Sequence, residues 1–311
     1  MYLIKGFKGK NHFWRYFVTV IIVFAATQVG AIPFTILLFI KALESGQMPD
    51  ASNITDFAAF GIDPNLGLVL MVLPFLTGLV FLLFLIHGFH KRTITDTLTG
   101  RERFDFSRFW YGVLTWLSLW TIVFVIHFII EPGNFVFNFD PSHFFILILV
   151  TILFIPFQSS FEEVLFRGYL MQGLAVLSKN RWIPVLITSV VFGMLHAFNP
   201  EVKEFGFALT MPQYLLFGLF FGIITIMDDG LELALGVHAI NNIFLSIFFT
   251  HSASTLQTPA LFEIQDLNPL VDLVELIMVS LIFILIVSRR FGWGSWRMLI
   301  EKVGGDGREQ I

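Results

Sequence analysis

The chain of 311 residues is 56% hydrophobic and only 14% charged, with a mean hydropathy of +0.80 and a formal net charge of −4. A soluble domain carries about 25% charged residues and needs a polar exterior, so a soluble fold, a disordered chain and a basic nucleic-acid binder are excluded. Cysteine is absent, which removes disulfides, thiol nucleophiles and cysteine-ligated metals.

Eight apolar stretches follow one another, at 14–40, 66–89, 109–130, 143–157, 182–198, 205–227, 231–250 and 270–288. Since about 20 apolar residues cross a bilayer, the pattern predicts an all-α polytopic membrane protein. It has about eight transmembrane helices in one integral membrane domain over 1–311. The first stretch is too long for a cleaved signal peptide. The 39 Phe residues read as lipid-facing and packing bulk.

Basic residues orient the bundle, because they collect in cytoplasmic loops. With a cytoplasmic N-terminus, the inner segments hold Lys5, Lys8, Lys10, Arg15, Lys91, Arg92, Arg101, Arg103, Arg108, Arg167, Lys179, Arg181, Arg289, Arg290, Arg297, Lys302 and Arg308, which is 17 of the 19 basic residues. The outer loops keep Lys41 and Lys203 beside Glu44, Asp50, Asp56, Asp63, Glu131, Asp140 and Glu201. Both termini are then cytoplasmic. The inner turn Asp228-Asp229-Gly230 is an acidic exception. Segment 91–108 fits an interfacial helix and a solvated linker equally well. The tail after Arg290 places Trp293 and Trp296 at the interface.

Ionisable residues within apolar helices are costly and therefore informative. They cluster at Phe161-Glu162-Glu163-Val164-Leu165-Phe166-Arg167-Gly168, at Phe192-Gly193-Met194-Leu195-His196 and at His238-Ala239-Ile240-Asn241-Asn242. Glu163 and Arg167 are i, i+4 neighbours on a helix and can pair, while Glu162 is rotated by about 100° and stays available. An equal reading makes Ser159 an N-cap and Glu162 its capping-box partner, with the helix restarting after Pro156. Counted from Asn180, in the turn of a helical hairpin, Glu162 and His196 come out at nearly the same height, roughly 25 Å away. That height suits a pair acting on one water molecule. His87 and His127 read as packing residues. His238 and Asn242, again i, i+4, can hold an oxyanion or glue helices together; taken alone, the second reading is the stronger.

The three clusters in this order, Glu-Glu-x-x-x-Arg, Phe-x-x-x-His and His-x-x-x-Asn, resemble the CAAX-protease and bacteriocin-processing (CPBP, or Abi) family of intramembrane proteases. The resemblance covers about residues 143–250, which would be the catalytic core. It implies Glu162 as the base that activates water, His196 as its orienting partner, and His238 with Asn242 as oxyanion holders. Glu163 and Arg167 would be structural partners, and Phe192 a packing residue. The active site would then lie inside the helical bundle. Glu162, His196 and His238 also form a zinc-type ligand set, so zinc is the alternative to a reaction without a cofactor, although no HExxH helix is present. The implied function is an intramembrane endopeptidase, its partners a membrane-associated or lipidated peptide or protein and the lipid bilayer, without nucleic acid. Its place would be the plasma (inner) membrane of a prokaryote. The alternatives are a non-enzymatic membrane scaffold or regulator, in peptide immunity or signalling, and a small transporter. Clustering in one half, without paired interrupted helices, speaks against the transporter.

Overall fold

Long runs of Leu, Ile, Val and Phe leave the helix as the economical spanning element, because its backbone hydrogen bonds close within the segment. Asp63-Pro64, Asp140-Pro141 and Asn268-Pro269 start three of these helices: the Asp or Asn side chain accepts a first-turn N–H, and proline occupies the next position, where its missing donor costs nothing. The computed structural model describes residues 1–46 and 56–303. Asp50 and Arg308, assigned above to opposite faces, lie outside them.

The helices are α1 (Phe13–Ser45), α2 (Pro64–Gly88), α3 (Ile94–Leu98), α4 (Phe106–Ile130), α5 (Pro141–Glu163), α6 (Met171–Ser178), α7 (Trp182–Leu195), α8 (Pro200–Phe205), α9 (Phe207–Met227), α10 (Glu232–Phe248) and α11 (Pro269–Phe291). The π-helical segment Val164–Leu170 joins α5 to α6 without a break. Among the described residues, six helical units are long and apolar enough to cross a membrane: α1, α2, α4, the continuous 141–178 unit, α9 and α11. The protein is an all-α polytopic integral membrane protein, as its composition predicts. The two other expected spans are the shorter apolar helices α7 and α10, of 14 and 17 residues. At 1.5 Å per residue they measure only roughly 21 and 26 Å.

Central in the bundle, α10 packs against α4 and α5, while α1 pairs with α2, α2 with α5 and α7 with α9. Every residue from Glu232 to Ala239 is buried. Gly236 makes this possible, since any Cβ there would collide with the Phe109 carbonyl of α4.

All the segments read as inner meet at one end of the bundle. Leu231 N–H donates to Leu98 O at 2.8 Å, Gly100 N–H to Asp229 O at 2.9 Å and Val303 N–H to Lys179 O at 3.0 Å. The acidic turn that broke the charge pattern is the hub of this end. Asp228 is buried and receives Arg108, Arg101 at 3.5 Å and the Trp293 indole N–H at 2.9 Å, while Tyr2 N–H donates to Asp229. Of the two readings of 91–108, the solvated linker fails. Arg92 and Asp96 are buried, and Asp96 takes Lys5 and Lys8, each at 3.1 Å. The half-buried Trp293 donates its indole N–H to this carboxylate of Asp228.

Three further expectations are corrected. The fourth apolar stretch does not stop near residue 157: the helix runs through Pro156 and continues to Ser178, because neighbouring groups can satisfy the carbonyl that a proline frees in a membrane helix. Ser159 is consequently no N-cap; its hydroxyl donates to Ile155 O at 3.2 Å within the helix, and the capping-box reading of Glu162 is withdrawn. Arg167 is no surface charge but a fully buried residue of this helix. At the opposite end a small three-stranded sheet, in the order β1 (Phe135–Phe137), β3 (Phe262–Ile264), β2 (Phe249–Thr250), ties two loops together. Phe124 and Phe128 of α4 pack against its Phe135 and Phe262.

Burial raises the Asp228 carboxyl from 3.8 to about 6, against the lowering influence of Trp293, Arg108 and Arg101. A carboxylate with a raised folded pKa stabilises the fold fully below its unfolded pKa and loses that contribution as pH rises through the folded one. Thermal unfolding of detergent-solubilised wild type and Asp228→Asn between pH 7 and 4 should therefore shift in favour of the wild type as pH falls through about 6. A constant difference between the two proteins would show that Asp228 does not titrate in the fold.

Candidate active site

Helix α5 carries Glu162 and Glu163 at its end, directly before the π-helical segment. Such segments often mark functional positions, since the widened turn re-aims side chains. Arg167 lies within it, and its Nη1 donates to Glu163 Oε1 at 2.9 Å, the expected i, i+4 pair. Both side chains have 0% exposure. The other Arg167 nitrogen, Nη2, donates to Gly218 O of α9 at 3.1 Å, and the guanidinium lies over the rings of Phe192 at 4.5 Å and Phe221 at 5.2 Å. The wider turn is braced from the inner end. The Tyr2 hydroxyl lies 2.9 Å from Arg167 O and 2.7 Å from Thr97 O, and burial holds the Tyr2 phenol well above its usual pKa, so it keeps the proton it donates. Gly168 allows this approach, because a Cβ there would meet Thr97 at about 3.0 Å.

His238, on the buried face of α10, lies between the two glutamates. Its Nδ1 is 2.8 Å from Glu163 Oε1 and its Nε2 is 3.6 Å from Glu162 Oε2. A carboxylate oxygen and an imidazole nitrogen at 2.8 Å need a proton between them, so Nδ1 carries the hydrogen and Glu163 accepts it. Phe221 stacks on the imidazole at 4.9 Å. One turn on, Asn242 turns to α5: its Nδ2 donates to Gln158 Oε1 at 2.9 Å, and Gln158 Nε2 donates to Glu162 Oε1 at 2.6 Å. Asn241 donates to Asn242 Oδ1 at 3.1 Å and accepts from the Trp116 indole of α4, also at 3.1 Å. A continuous hydrogen-bonded chain thus runs from Trp116 to Glu162, and Arg167, Glu163 and His238 close in on the same carboxyl group.

The fold brings Glu162, Glu163, Arg167, His238 and Asn242 together in this chain. Phe192 is the apolar wall beside it, its ring 5.5 Å from Phe166, 6.2 Å from His238 and 4.8 Å from His196. His196 stands differently. At the C-terminal end of α7, its Nδ1 is 2.8 Å from Phe192 O, and its ring stacks on Tyr214 at 4.4 Å; among the described residues no hydrogen bond joins it to Glu162. Tyr214 in turn donates to Glu201 and accepts from Asn199. Sequence reasoning misses Gln158, Asn241, Trp116 and Tyr214. Gln158 carries a readable signal, its i, i+4 spacing to Glu162, and Asn241 stands beside a chosen residue; Trp116 and Tyr214 come from other helices and carry none. Of the residues set aside as packing, His127 pairs with Glu275 of α11. Among the described residues, no three His, Asp or Glu side chains gather so as to hold a metal ion, and with His238 Nδ1 donating to Glu163, Nε2 is the ring nitrogen left to face a ligand.

Comparison with known sequences matches residues 141–244 to the family described as "Type II CAAX prenyl endopeptidase Rce1-like". The match covers about a third of the chain and supports the resemblance to the CPBP family that its motifs carry. The matched residues hold every member of the polar chain on α5 and α10, together with His196 on α7. Over 282 residues the chain is 29% identical to the Bacillus subtilis (strain 168) protein described as "Uncharacterized protein YyaK", covering 90% of this chain and 93% of that one. No solved structure matches the chain.

Removing one member of a buried ion pair leaves an uncompensated charge, at a cost of about 3–5 kcal/mol. Arg167→Met should lower the thermal unfolding midpoint markedly, and the double variant Glu163→Gln/Arg167→Met should recover part of that loss. Additive losses in the double variant would mean that the pair is not coupled.

Proposed function

We propose that the chain is an intramembrane endopeptidase that hydrolyses a peptide bond in a membrane-associated or lipidated peptide or protein, using water activated by a glutamate. The observation that carries this reading is the buried chain of Glu162, His238, Glu163 and Arg167, with Asn242 beside it, in a domain whose family is described as an endopeptidase. Peptide hydrolysis needs a base at the attacking water and donors where negative charge develops, and these residues supply both. Glu162 takes a proton from water as the water oxygen attacks the scissile carbonyl carbon. Glu163 fixes the His238 ring through Nδ1–H; in its doubly protonated form His238 presents Nε2–H, together with the Asn242 Nδ2 donor, to the carbonyl oxygen as it gains charge. Glu162 then delivers the proton to the leaving nitrogen while the C–N bond breaks, releasing a carboxylate and an amine. His196, held by Phe192 O and Tyr214, orients the water. The reaction uses no cofactor.

The test compares the membrane-associated and secreted peptides of cells expressing the wild type with those of cells expressing Glu162→Ala. A product missing from the variant identifies the substrate. With that substrate and purified protein, Glu162→Ala and His196→Ala should each lose about 100-fold or more in rate, and a chelator should leave the wild-type rate unchanged. Equal cleavage by the variants removes the assigned site, and loss of activity on chelation that zinc restores moves the reaction to metal chemistry.

A further inference from the structure

Gln158 has no part in the reaction just described, yet its carboxamide is gripped at both ends, by Asn242 Nδ2 at its oxygen and by Glu162 Oε1 at its nitrogen. The direction of that amide is dictated from a distance. The buried Trp116 indole N–H can only donate, so Asn241 turns its oxygen to it and its NH2 group to Asn242 Oδ1. Asn242 must then present Nδ2 as a donor to Gln158. A chain that begins on an obligate donor and ends on a carboxylate runs in one sense only. Gln158 therefore offers its C=O to Asn242 and its N–H to Glu162.

A peptide bond is the same group, a planar amide with an accepting oxygen and a donating nitrogen. The geometry points to the Gln158 carboxamide as an internal stand-in for the scissile peptide bond, filling its seat until a substrate displaces it. This inference rests on the endopeptidase reading and adds the orientation of the substrate. The scissile carbonyl oxygen replaces Gln158 Oε1 at Asn242, and the leaving nitrogen replaces Nε2 beside Glu162, where it collects its proton. It also narrows the substrate class. A group tethered one helical turn from the base competes at high effective concentration, so a free soluble peptide is turned away. An extended segment anchored in the bilayer, with binding energy from outside the seat, displaces it.

The chain has no cysteine, so Asn242→Cys places a single thiol at the seat. The experiment measures its alkylation by iodoacetamide in the full-length, detergent-solubilised protein, with Gln158 present and with Gln158→Ala. Removing the stand-in should speed alkylation about fivefold, as expected for displacing the one net hydrogen bond, from Gln158 to Glu162, that remains once Asn242 is replaced; equal rates overturn the proposal. In the otherwise native protein, Gln158→Ala should lower KM for the substrate identified in cells and retain kcat. A fall in kcat at unchanged KM overturns it too, because Gln158 would then serve to hold Glu162. Gln158→Ser replaces Gln158→Ala in both arms if the alanine variant does not fold. If the wild type cleaves nothing, the endopeptidase reading fails, while the alkylation rates still decide whether Gln158 covers the seat.

Discussion

Glu163 is the carboxylate around which the second half of the molecule is arranged. Both it and Arg167 have 0% exposure. Two charges taken out of water lose several kcal/mol of solvation each, and only close geometry with additional hydrogen bonds offsets that loss. Those additional contacts come from three other helices: His238 from α10, Gly218 O and the face of Phe221 from α9, and the face of Phe192 from α7. The register of four helices is thereby tied to one ion pair. Arg167 pairs with Glu163 and leaves Glu162, the adjacent residue, to Gln158 and His238.

The inner end gives this arrangement a firm base. The Tyr2 hydroxyl reaches both the carbonyl of Arg167, within the π-helical turn, and that of Thr97, and Asp228 and Asp229 bind the first residues, the 91–108 loop and the C-terminal tail to one another. Charges that an alternating hydropathy pattern treats as loop markers are here the fastening of the loops. At the other end the chain is held by aromatic packing over a short sheet, where few charges are available to do the same work.

Much of the candidate site could be read from spacing, because i, i+4 neighbours on a helix meet whatever the tertiary fold. Glu163 with Arg167 belongs to this class, as does Gln158 with Glu162, which the same rule would have found. His196 shows the limit of such counting. Equal distance from the hairpin turn puts it level with Glu162, and counting leaves unread that Phe192 O and Tyr214 hold the ring. Height along a helix does not set the direction of a side chain around it. The capping-box reading of Ser159 failed for a related reason: local propensity at Pro156 yields to a bundle that supplies the missing contacts.

The scarcity of charge, read at the start as the mark of a bilayer protein, determined by itself the helical class, the common end shared by the inner segments and the handful of polar residues worth considering. These follow from local composition and from the cost of burying polar groups in hydrocarbon. Only the tertiary structure decided which partners those residues take. It placed His238 between the two glutamates, turned Asn242 into a donor through Trp116 and Asn241, and carried the fourth apolar stretch, α5, on as helix to Ser178. Such pairings depend on how helices from distant parts of the chain are rotated and set against one another, and no stretch of sequence contains that information locally.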